Sequence, residues 1–364
     1  MKQLALITDH HLNSGIGRYS FELAKAMILL RKNVELYKPY KTDSEDNVFD
    51  NRYQWLKRIR YKSFRSLHPY VLPYFIGGSL LGSKAQVYHA HWFMAGLGAM
   101  KAARRNVIVT MHDVSLLHEQ ERTGRFLDYY KKSLQKFIEK EVPIVVVSKQ
   151  ARQDAIHFGG IPAGQVHAIY NGINTSQFFP LHQKRQEGPF RLVYSGGLGP
   201  RKNIALLLKA CRILEDRKVD YQLNIAGNHP DATPYPAMCK QLKLQNVCFT
   251  GFIPDEQMNA FYNAADLMVF TSKYEGFGFS PLEAMAAGLP VISTRGGSLS
   301  EVSGGGAMLV ADDAEDIANS IIQLKDDPVL YEYHKQRGMD WVKQYTWEAT
   351  AQQTLALYQK TLAA

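Results

Sequence analysis

The sequence predicts an α/β fold of two doubly wound, Rossmann-like domains. Three observations carry that expectation. Short apolar runs alternate with helical patterns along the 364 residues, as in parallel sheets covered by helices on both faces. The alternation restarts after the polar stretch Gln183–Gly188, which runs into Pro189 as a linker would. Glycine loops follow the first strand of each half, where such sheets open to ligands. The length agrees, since domains average roughly 150 residues.

In the first half the apolar runs place strands at 4–8, 34–37, 86–89, 107–110, 144–148 and 167–169. Helices are expected at 17–30, where Phe21, Leu23, Ala24, Met27 and Ile28 form the apolar face, and at 149–158. In the second half strands are expected at 190–195, 221–226, 247–250, 267–270, 290–293 and 307–310. Helices are expected at 204–215, 259–265, 281–287 and 314–325. The segment 341–362 reads as one helix that crosses back onto the first domain. The expected domains are therefore 1–184, with a terminal helix of about 345–364 packed on it, and 185–344.

Composition narrows the class. Hydrophobic residues make up 46% and charged residues 21%, which excludes a disordered chain or a coiled coil. No apolar run reaches the 18 or so residues of a membrane span. The apolar start is too short for a signal-peptide core, so a cytoplasmic protein is expected. Three cysteines without CxxC spacing argue against a disulfide framework and a structural zinc site.

The net charge of +9 is uneven. Residues 1–183 carry 25 Lys and Arg against 14 Asp and Glu, and residues 184–364 carry 18 against 20. The densest basic run is Arg52 to Arg65, including Arg58 and Arg60, interleaved with Tyr53, Trp55, Tyr61 and Phe64. An apolar stretch follows from Tyr70 to Ile76. That mixture suits an anionic membrane surface. A solvated basic helix over ordinary core and a nucleic-acid surface are the alternatives.

Four motifs can carry chemistry. The loop Asp9 to Tyr19, with Gly15 and Gly17 before a helix, exposes backbone amides where anions are favoured. It is not a dinucleotide fingerprint, because Ser20 stands at the third glycine position, although Glu35 lies about where a ribose-binding acid would. A plain strand-to-helix turn is the bland alternative. His112, just past a strand end beside Asp113, can meet a sugar hydroxyl or polarise a reacting group near neutral pH. His89 and His91 end the preceding strand; a metal pair lacks a third ligand, so His91 is read as a wall or acceptor contact. Gly196 to Asn203 joins flexible glycines to Arg201 and Lys202 at a helix start, which suits a diphosphate. Glu275-Gly276-Phe277-Gly278 precedes Glu283 by one short segment. Ser280-Pro281-Leu282-Glu283 alone would be a capping box, but that box does not require the glycine loop before it.

At these residues the chain resembles the retaining glycosyltransferases of family 4, which share the two-domain GT-B fold. Glu275 and Glu283 match the family's E-x7-E motif. Pro200 to Asn203, Ile225 to Gly227, Gly251 to Pro254, Ala264 to Asp266, Glu283 to Ile292 and Gly297 to Glu301 match its surroundings. Gly15 to Gly17, His112-Asp113, Val147-Ser148 and Asn171 to Ile173 fit in the first half. The resemblance implies two Rossmann-like domains facing a central cleft. It implies that Arg201 and Lys202 hold the donor diphosphate, with Gly15 and Gly17 beside it. Glu275, with Gly276, Phe277 and Gly278, would hold the transferred sugar, Glu283 the ribose hydroxyls, and His112 the sugar near its reacting carbon. His112, Glu275, Arg201 and Lys202 are thus the expected catalytic set. His91, Trp55, Arg58 and Arg60 are the expected acceptor and membrane side. No metal or other cofactor is expected, and Asp312-Asp313 is no convincing metal pair. The turn Val302 to Ala307 departs from relatives that carry an acid there.

The expected function is retaining transfer of a hexose from a nucleoside-diphosphate sugar, UDP-sugar first and GDP-mannose next. The expected acceptor is a glycan or lipid-linked hydroxyl in cell-surface polysaccharide or lipopolysaccharide assembly. A peripheral place on the inner face of the membrane, without nucleic acid, goes with it. The rivals are a soluble small-molecule acceptor, a nucleotide-sugar 2-epimerase, and a non-enzymatic basic module binding RNA or membrane.

Overall fold

A computed structural model describes residues 3–10, 14–41, 53–61, 68–103, 105–112, 114–118, 124–181 and 187–363. The chain divides into two compact units, 1–172 with 347–364, and 173–346. In the first unit the order is β1 (Gln3–Ile7), α1 (Gly15–Leu29), β2 (Asn33–Lys41), β3 (Leu56–Tyr61), α2 (His68–Leu80), β4 (Val87–Ala90), α3 (Phe93–Ala102), β5 (Val107–Met111), α4 (Ser115–His118), α5 (Arg125–Glu139), β6 (Ile144–Val146), α6 (Lys149–His157) and β7 (Val166–Ala168). The second unit continues with β8 (Phe190–Ser195), α7 (Ile204–Asp216), β9 (Tyr221–Ala226), α8 (Tyr235–Gln241), β10 (Val247–Gly251), α9 (Asp255–Asn263), β11 (Leu267–Phe270), α10 (Phe279–Ala286), β12 (Val291–Ser293), α11 (Leu299–Val302), β13 (Met308–Leu309), α12 (Ala314–Asp326) and α13 (Pro328–Val342). The last helix, α14 (Trp347–Ala363), belongs to the first unit.

Both sheets are parallel. Their strand orders are β3-β2-β1-β4-β5-β6-β7 and β10-β9-β8-β11-β12-β13. The order reverses beside the first strand of each unit, between β1 and β4 and between β8 and β11. A crevice opens at the carboxyl ends of such a strand pair because the flanking loops turn to opposite sides. The central strands explain their own placement. β4, β5, β6, β11 and β12 are buried along their whole length, as unbroken apolar runs must be when helices cover both faces. Around them the helices are one-sided: α5 buries Leu127, Tyr130, Leu134 and Phe137 at helical spacing and turns Lys131, Lys132 and Lys136 outward.

Three expectations change. The joint lies at 172/173 rather than near 185, because the segment before the polar stretch is fastened to α9. Asn259 Oδ1 accepts from the Phe179 amide at 3.1 Å, and Asn263 Oδ1 from the Leu181 amide at 2.6 Å. Residues 183–186 of the expected linker lie outside the described residues. The expected helix 341–362 is two helices broken at 343–346; there the Tyr345 amide bonds Val342 O at 3.0 Å, while Tyr345 O accepts from the Ile173 amide at 2.9 Å. Finally, the described part of the basic run is an edge strand, β3, not a helix. Its register pairs Leu36 with Leu56 through to Lys41 with Tyr61. Charged side chains suit a sheet edge, since they discourage pairing with another chain.

Candidate functional site

In the second unit the site grows from the β8/β11 reversal. Ser195 ends β8, and the chain then runs through Gly196–Gly199 into a 3-10 turn, Pro200–Lys202, whose proline stands at its start. Asn203 leaves that turn in the left-handed conformation, φ 54°, and opens α7. The β11 loop clamps the turn from the other side. Thr271 Oγ1 donates to Lys202 O at 3.1 Å, and the Lys273 amide to Arg201 O at 2.9 Å. Arg201 and Lys202 are thereby aimed at the loop that carries Glu275. Lys202 Nζ lies 2.5 Å from Glu275 Oε1 and Arg201 Nη1 lies 3.3 Å from Oε2. Arg201 Nη1 also donates to Tyr274 O. Three residues 73 and 74 positions apart thus form one cation–carboxylate cluster. Glu275 is only 8% exposed, so its charge is stable there only with such partners.

A second carboxylate is organised separately. Glu283 is 4% exposed and accepts from Tyr262 OH at 3.0 Å; the same phenol lies 2.8 Å from Ser195 Oγ. Tyr262 therefore joins the β8 end to α10, a connection that no motif indicated. Glu283 is not a capping residue. α10 starts at Phe279 with Gly278 as its cap, φ 92° and without a side-chain cap bond. Ser280 thus lies inside the helix, and the alternative reading of a capping box falls. Phe277 is buried, its ring 5.2 Å from Phe279 and 5.8 Å from Tyr345. Its carbonyl accepts from Ser298 Oγ at 3.1 Å. Gly276 is buried in the same turn. The loop is held in register by a parallel bridge between Glu275 and Gly297. Of the remaining acids, Asp313 caps α12 and Asp312 accepts from Asn203 Nδ2 at 3.2 Å.

The departure at 302–307 has a packing reason. A Cβ on Gly305 would stand 2.2 Å from the Trp341 ring, so the turn must be bare where the indole covers it. Trp341 Nε1 donates to Val302 O at 2.7 Å and Arg337 Nε to Gly305 O at 2.6 Å.

In the first unit, the helix at the glycine loop begins at Gly15, two residues earlier than expected. Ser14 caps it, its Oγ accepting from the Gly17 amide at 3.1 Å. That amide is committed to the cap and is not a donor for a phosphate. Glu35 is taken by its own strand, accepting from Tyr37 OH at 2.8 Å with Lys57 at 3.5 Å. It stands near the start of β2, away from the carboxyl edge where a ribose would lie. Trp55 packs into an aromatic group, 5.4 Å from Phe21 and 5.3 Å from Tyr53. Arg58 is exposed; the side chain of Arg60, and Asp113 as a whole, lie outside the described residues.

His91 is not on an acceptor surface. It is 0% exposed, and its Nδ1 lies 2.7 Å from Ser20 Oγ, which itself donates to Ile16 O at 2.8 Å. Because that hydroxyl spends its only proton on Ile16, Nδ1 is the protonated nitrogen of His91. The metal-pair alternative falls as well, since His89 hydrogen-bonds Tyr358 OH and Thr110 Oγ1, each at 2.7 Å. No group of three or more metal-ligating side chains occurs among the described residues.

His112 sits at the end of β5. The His91 backbone hydrogen-bonds its ring, and Nε2 is buried with no partner among the described residues. Nδ1 is then the donor to the His91 carbonyl, and Nε2 presents a lone pair. Burial, reinforced by His10 and His89, pushes the His112 pKa down to about 3. Burial alone takes His89 to about 3, and it lowers His91 well below its usual value with His89 and His112 adding to it. His112 is therefore a neutral hydrogen-bonding group at physiological pH, not the proton donor near neutrality that its type suggests.

The same shifts predict acid sensitivity. Unfolded histidines take up protons near pH 6.5 and these folded ones do not, so stability is complete above that pH and declines as pH falls towards 3. The expected slope is up to about 1.4 kcal/mol per pH unit for each histidine. Urea midpoints at pH 7 and pH 5 test this; equal midpoints would show that the buried histidines do not resist protonation.

Comparison with known proteins accords with this geometry. Residues 13–177 match the family described as "Glycosyltransferase Family 4", and residues 177–341 match "Glycosyl transferases group 1". The O-antigen chain mannosyltransferase B of Escherichia coli is 29% identical, over 95% of this chain and 96% of that protein. Among solved structures, sucrose-phosphate synthase from Thermosynechococcus elongatus superposes with a TM-score of 0.83 at 23% identity, over 100% of both chains. Anabaena HepE in complex with UDP and glucose superposes with a TM-score of 0.79 at 17% identity, over 99% of this chain and 100% of that one. With both halves matched by consecutive family domains and the GT-B fold shared end to end, the chain belongs to the family 4 glycosyltransferases, group 1.

Proposed function

We propose that the protein transfers a mannosyl residue from a nucleoside-diphosphate mannose to a hydroxyl of a growing cell-surface glycan, with retention of configuration. The Arg201–Lys202–Glu275 cluster at the β8/β11 reversal carries this reading. The mannosyl choice rests on the likeness to the O-antigen mannosyltransferase over nearly the full length of both proteins. It puts GDP-mannose ahead of the UDP-sugar that family frequency favours.

The cluster suggests an exchange of partners. With no donor bound, Glu275 neutralises both cations. A diphosphate takes over Arg201 and Lys202, which frees the Glu275 carboxylate to accept hydroxyls of the sugar while Glu283 takes those of the ribose. His112 Nε2, held neutral, accepts from a sugar hydroxyl. In transfer, the acceptor oxygen bonds the anomeric carbon as the bond to the diphosphate breaks. The acceptor proton passes to a diphosphate oxygen on the same face, and the two cations stabilise the departing charge. No resident metal enters this scheme. We further place the first unit against an anionic membrane surface. Its basic excess supports that placement, as do exposed Tyr74 and Leu81, with Lys101 Nζ 3.8 Å over the Tyr74 ring.

Calorimetry with GDP, UDP, dTDP and ADP in chelator tests the reading. The expected result is GDP binding in the low-micromolar range, about −8 kcal/mol, unchanged by magnesium, and co-sedimentation of the protein with phosphatidylglycerol vesicles but not phosphatidylcholine ones. Absence of binding by a folded sample removes the donor assignment; binding only with magnesium removes metal independence. Equal sedimentation with both vesicle types removes the membrane surface.

A further inference from the structure

We propose that Tyr19 is a positioning residue for His112, held in place by a buried hydrogen-bond chain that starts on the carboxyl-terminal helix at Tyr358. The chain has three links. Tyr358 OH lies 2.7 Å from His89 Nδ1, His89 Nε2 lies 2.7 Å from Thr110 Oγ1, and Thr110 Oγ1 lies 3.3 Å from Tyr19 OH. All four side chains are 0% exposed. They come from α14, β4, β5 and α1, so each link joins a different pair of elements.

The chain ends at the sugar-contacting candidate. The Tyr19 ring stands edge-on to His112, with centroids 4.7 Å apart and planes at 80°, and edge-on to His91 at 5.0 Å and 85°. The His112 ring is thus fixed by two contacts, the His91 backbone and the face or edge of Tyr19, and its Nε2 points its lone pair accordingly. Tyr19 can hold that ring only if its own tilt is set, and the hydroxyl contact with Thr110 sets it. Trp347 at the start of α14 braces the same ring at 5.9 Å.

Packing alone does not explain this chemistry. Burying two phenols, a hydroxyl and an imidazole is costly unless each is matched, and apolar residues of similar volume would fill the space without that cost. What the polar chain adds is direction: one rotamer of Tyr19, hence one orientation of His112. The 17-residue helix that closes the chain is then part of the site's machinery, and His112 is not in its working position until the last segment of the protein has docked.

This inference rests on His112 contacting the transferred sugar, and the experiment separates the two. Tyr358→Phe and Tyr19→Phe keep both rings and remove the hydroxyls. The first readout needs no activity: histidine imidazole resonances of the full-length protein. In Tyr358→Phe the signals of both His89 and His112 are expected to move, while His334 in the other unit stays in place. Movement of His89 alone overturns the proposal. The second readout is kinetic. Each variant is expected to lose about 3–10-fold in kcat with the donor KM unchanged, since a small misplacement of a positioned group costs rate rather than binding. The double variant should be no slower than the slower single one, as expected of residues acting in one chain. Multiplying losses overturn the proposal. A wild-type protein without any sugar transfer defeats the functional reading instead, and the resonances still decide whether Tyr358 governs His112.

Discussion

Lys202→Ala is expected to lower sugar transfer by about 10²–10³-fold, the usual cost of removing one preorganised charge from a developing anion. Its ammonium group is held 2.5 Å from Glu275 and 5.6 Å from the Phe270 ring centroid, with its side chain 16% exposed. The backbone that carries it is clamped by Thr271, so truncating the side chain leaves the turn in place. Glu275 keeps Arg201 as a partner, and the stability loss should stay near 1 kcal/mol. The variant should therefore melt close to wild type and bind nucleoside diphosphate weakly. Transfer assays with labelled GDP-mannose, read beside thermal melts, test this. Transfer at the wild-type rate would take Lys202 out of the diphosphate site. Lys202→Arg should not restore full activity, because a planar fork on a longer stem cannot occupy the point that an ammonium group fills.

Gly297→Ala should destabilise the second unit by about 2–4 kcal/mol. Gly297 has φ 59°, and a Cβ there would stand 2.6 Å from Glu275 O and 2.8 Å from Glu275 N. Both atoms are backbone, so neither can swing aside. The adjacent Ser298 amide donates to Glu275 O at 3.0 Å, and the clash acts directly on that bond. Any relaxation moves Glu275 away from Arg201 and Lys202, so activity falls together with stability. Gly15→Ala is the contrast, since nothing lies within 4 Å of a Cβ there; its stability should change by no more than about 0.5 kcal/mol. Urea midpoints of the two variants check the pair. An unshifted midpoint for Gly297→Ala would mean that the loop repacks around the methyl group.

The helix starts show how far local rules reach. Ser14 and Ser148 cap the helices they precede, accepting the Gly17 and Ala151 amides at 3.1 Å and 3.0 Å. Ser280-Pro281-Leu282-Glu283 has an equally good local pattern, yet α10 begins ahead of it. Burial of Glu283 against Tyr262 and the Gly278 turn outweigh a cap worth about 1 kcal/mol. The histidines divide in the same way. His91 and His112 both follow strands at the crevice edge, and nothing in their neighbours tells that the first is fully buried and the second only partly so. Their ring partners Ser20 and Tyr19 lie some 70 and 90 positions away.

What the sequence by itself determined are features decided within a few residues or repeated along the chain. These are the alternation of strand and helix, the parallel sheets, the glycine loops, the pair of glutamates and their family. Period, propensity and turn chemistry act over one or two turns of backbone and need no partner. Tertiary structure alone decided which charges meet, which are buried, and where the units divide. Lys202 finds Glu275 only because β8 and β11 are neighbours at the point where strand order reverses. The joint falls at 172/173 only because Asn259 and Asn263 capture the following segment. His112 is neutral only because the fold around it takes its ring out of water and sets His10 and His89 nearby. Desolvation and long-range pairing depend on what the whole fold brings within a few ångströms, and no local pattern encodes that.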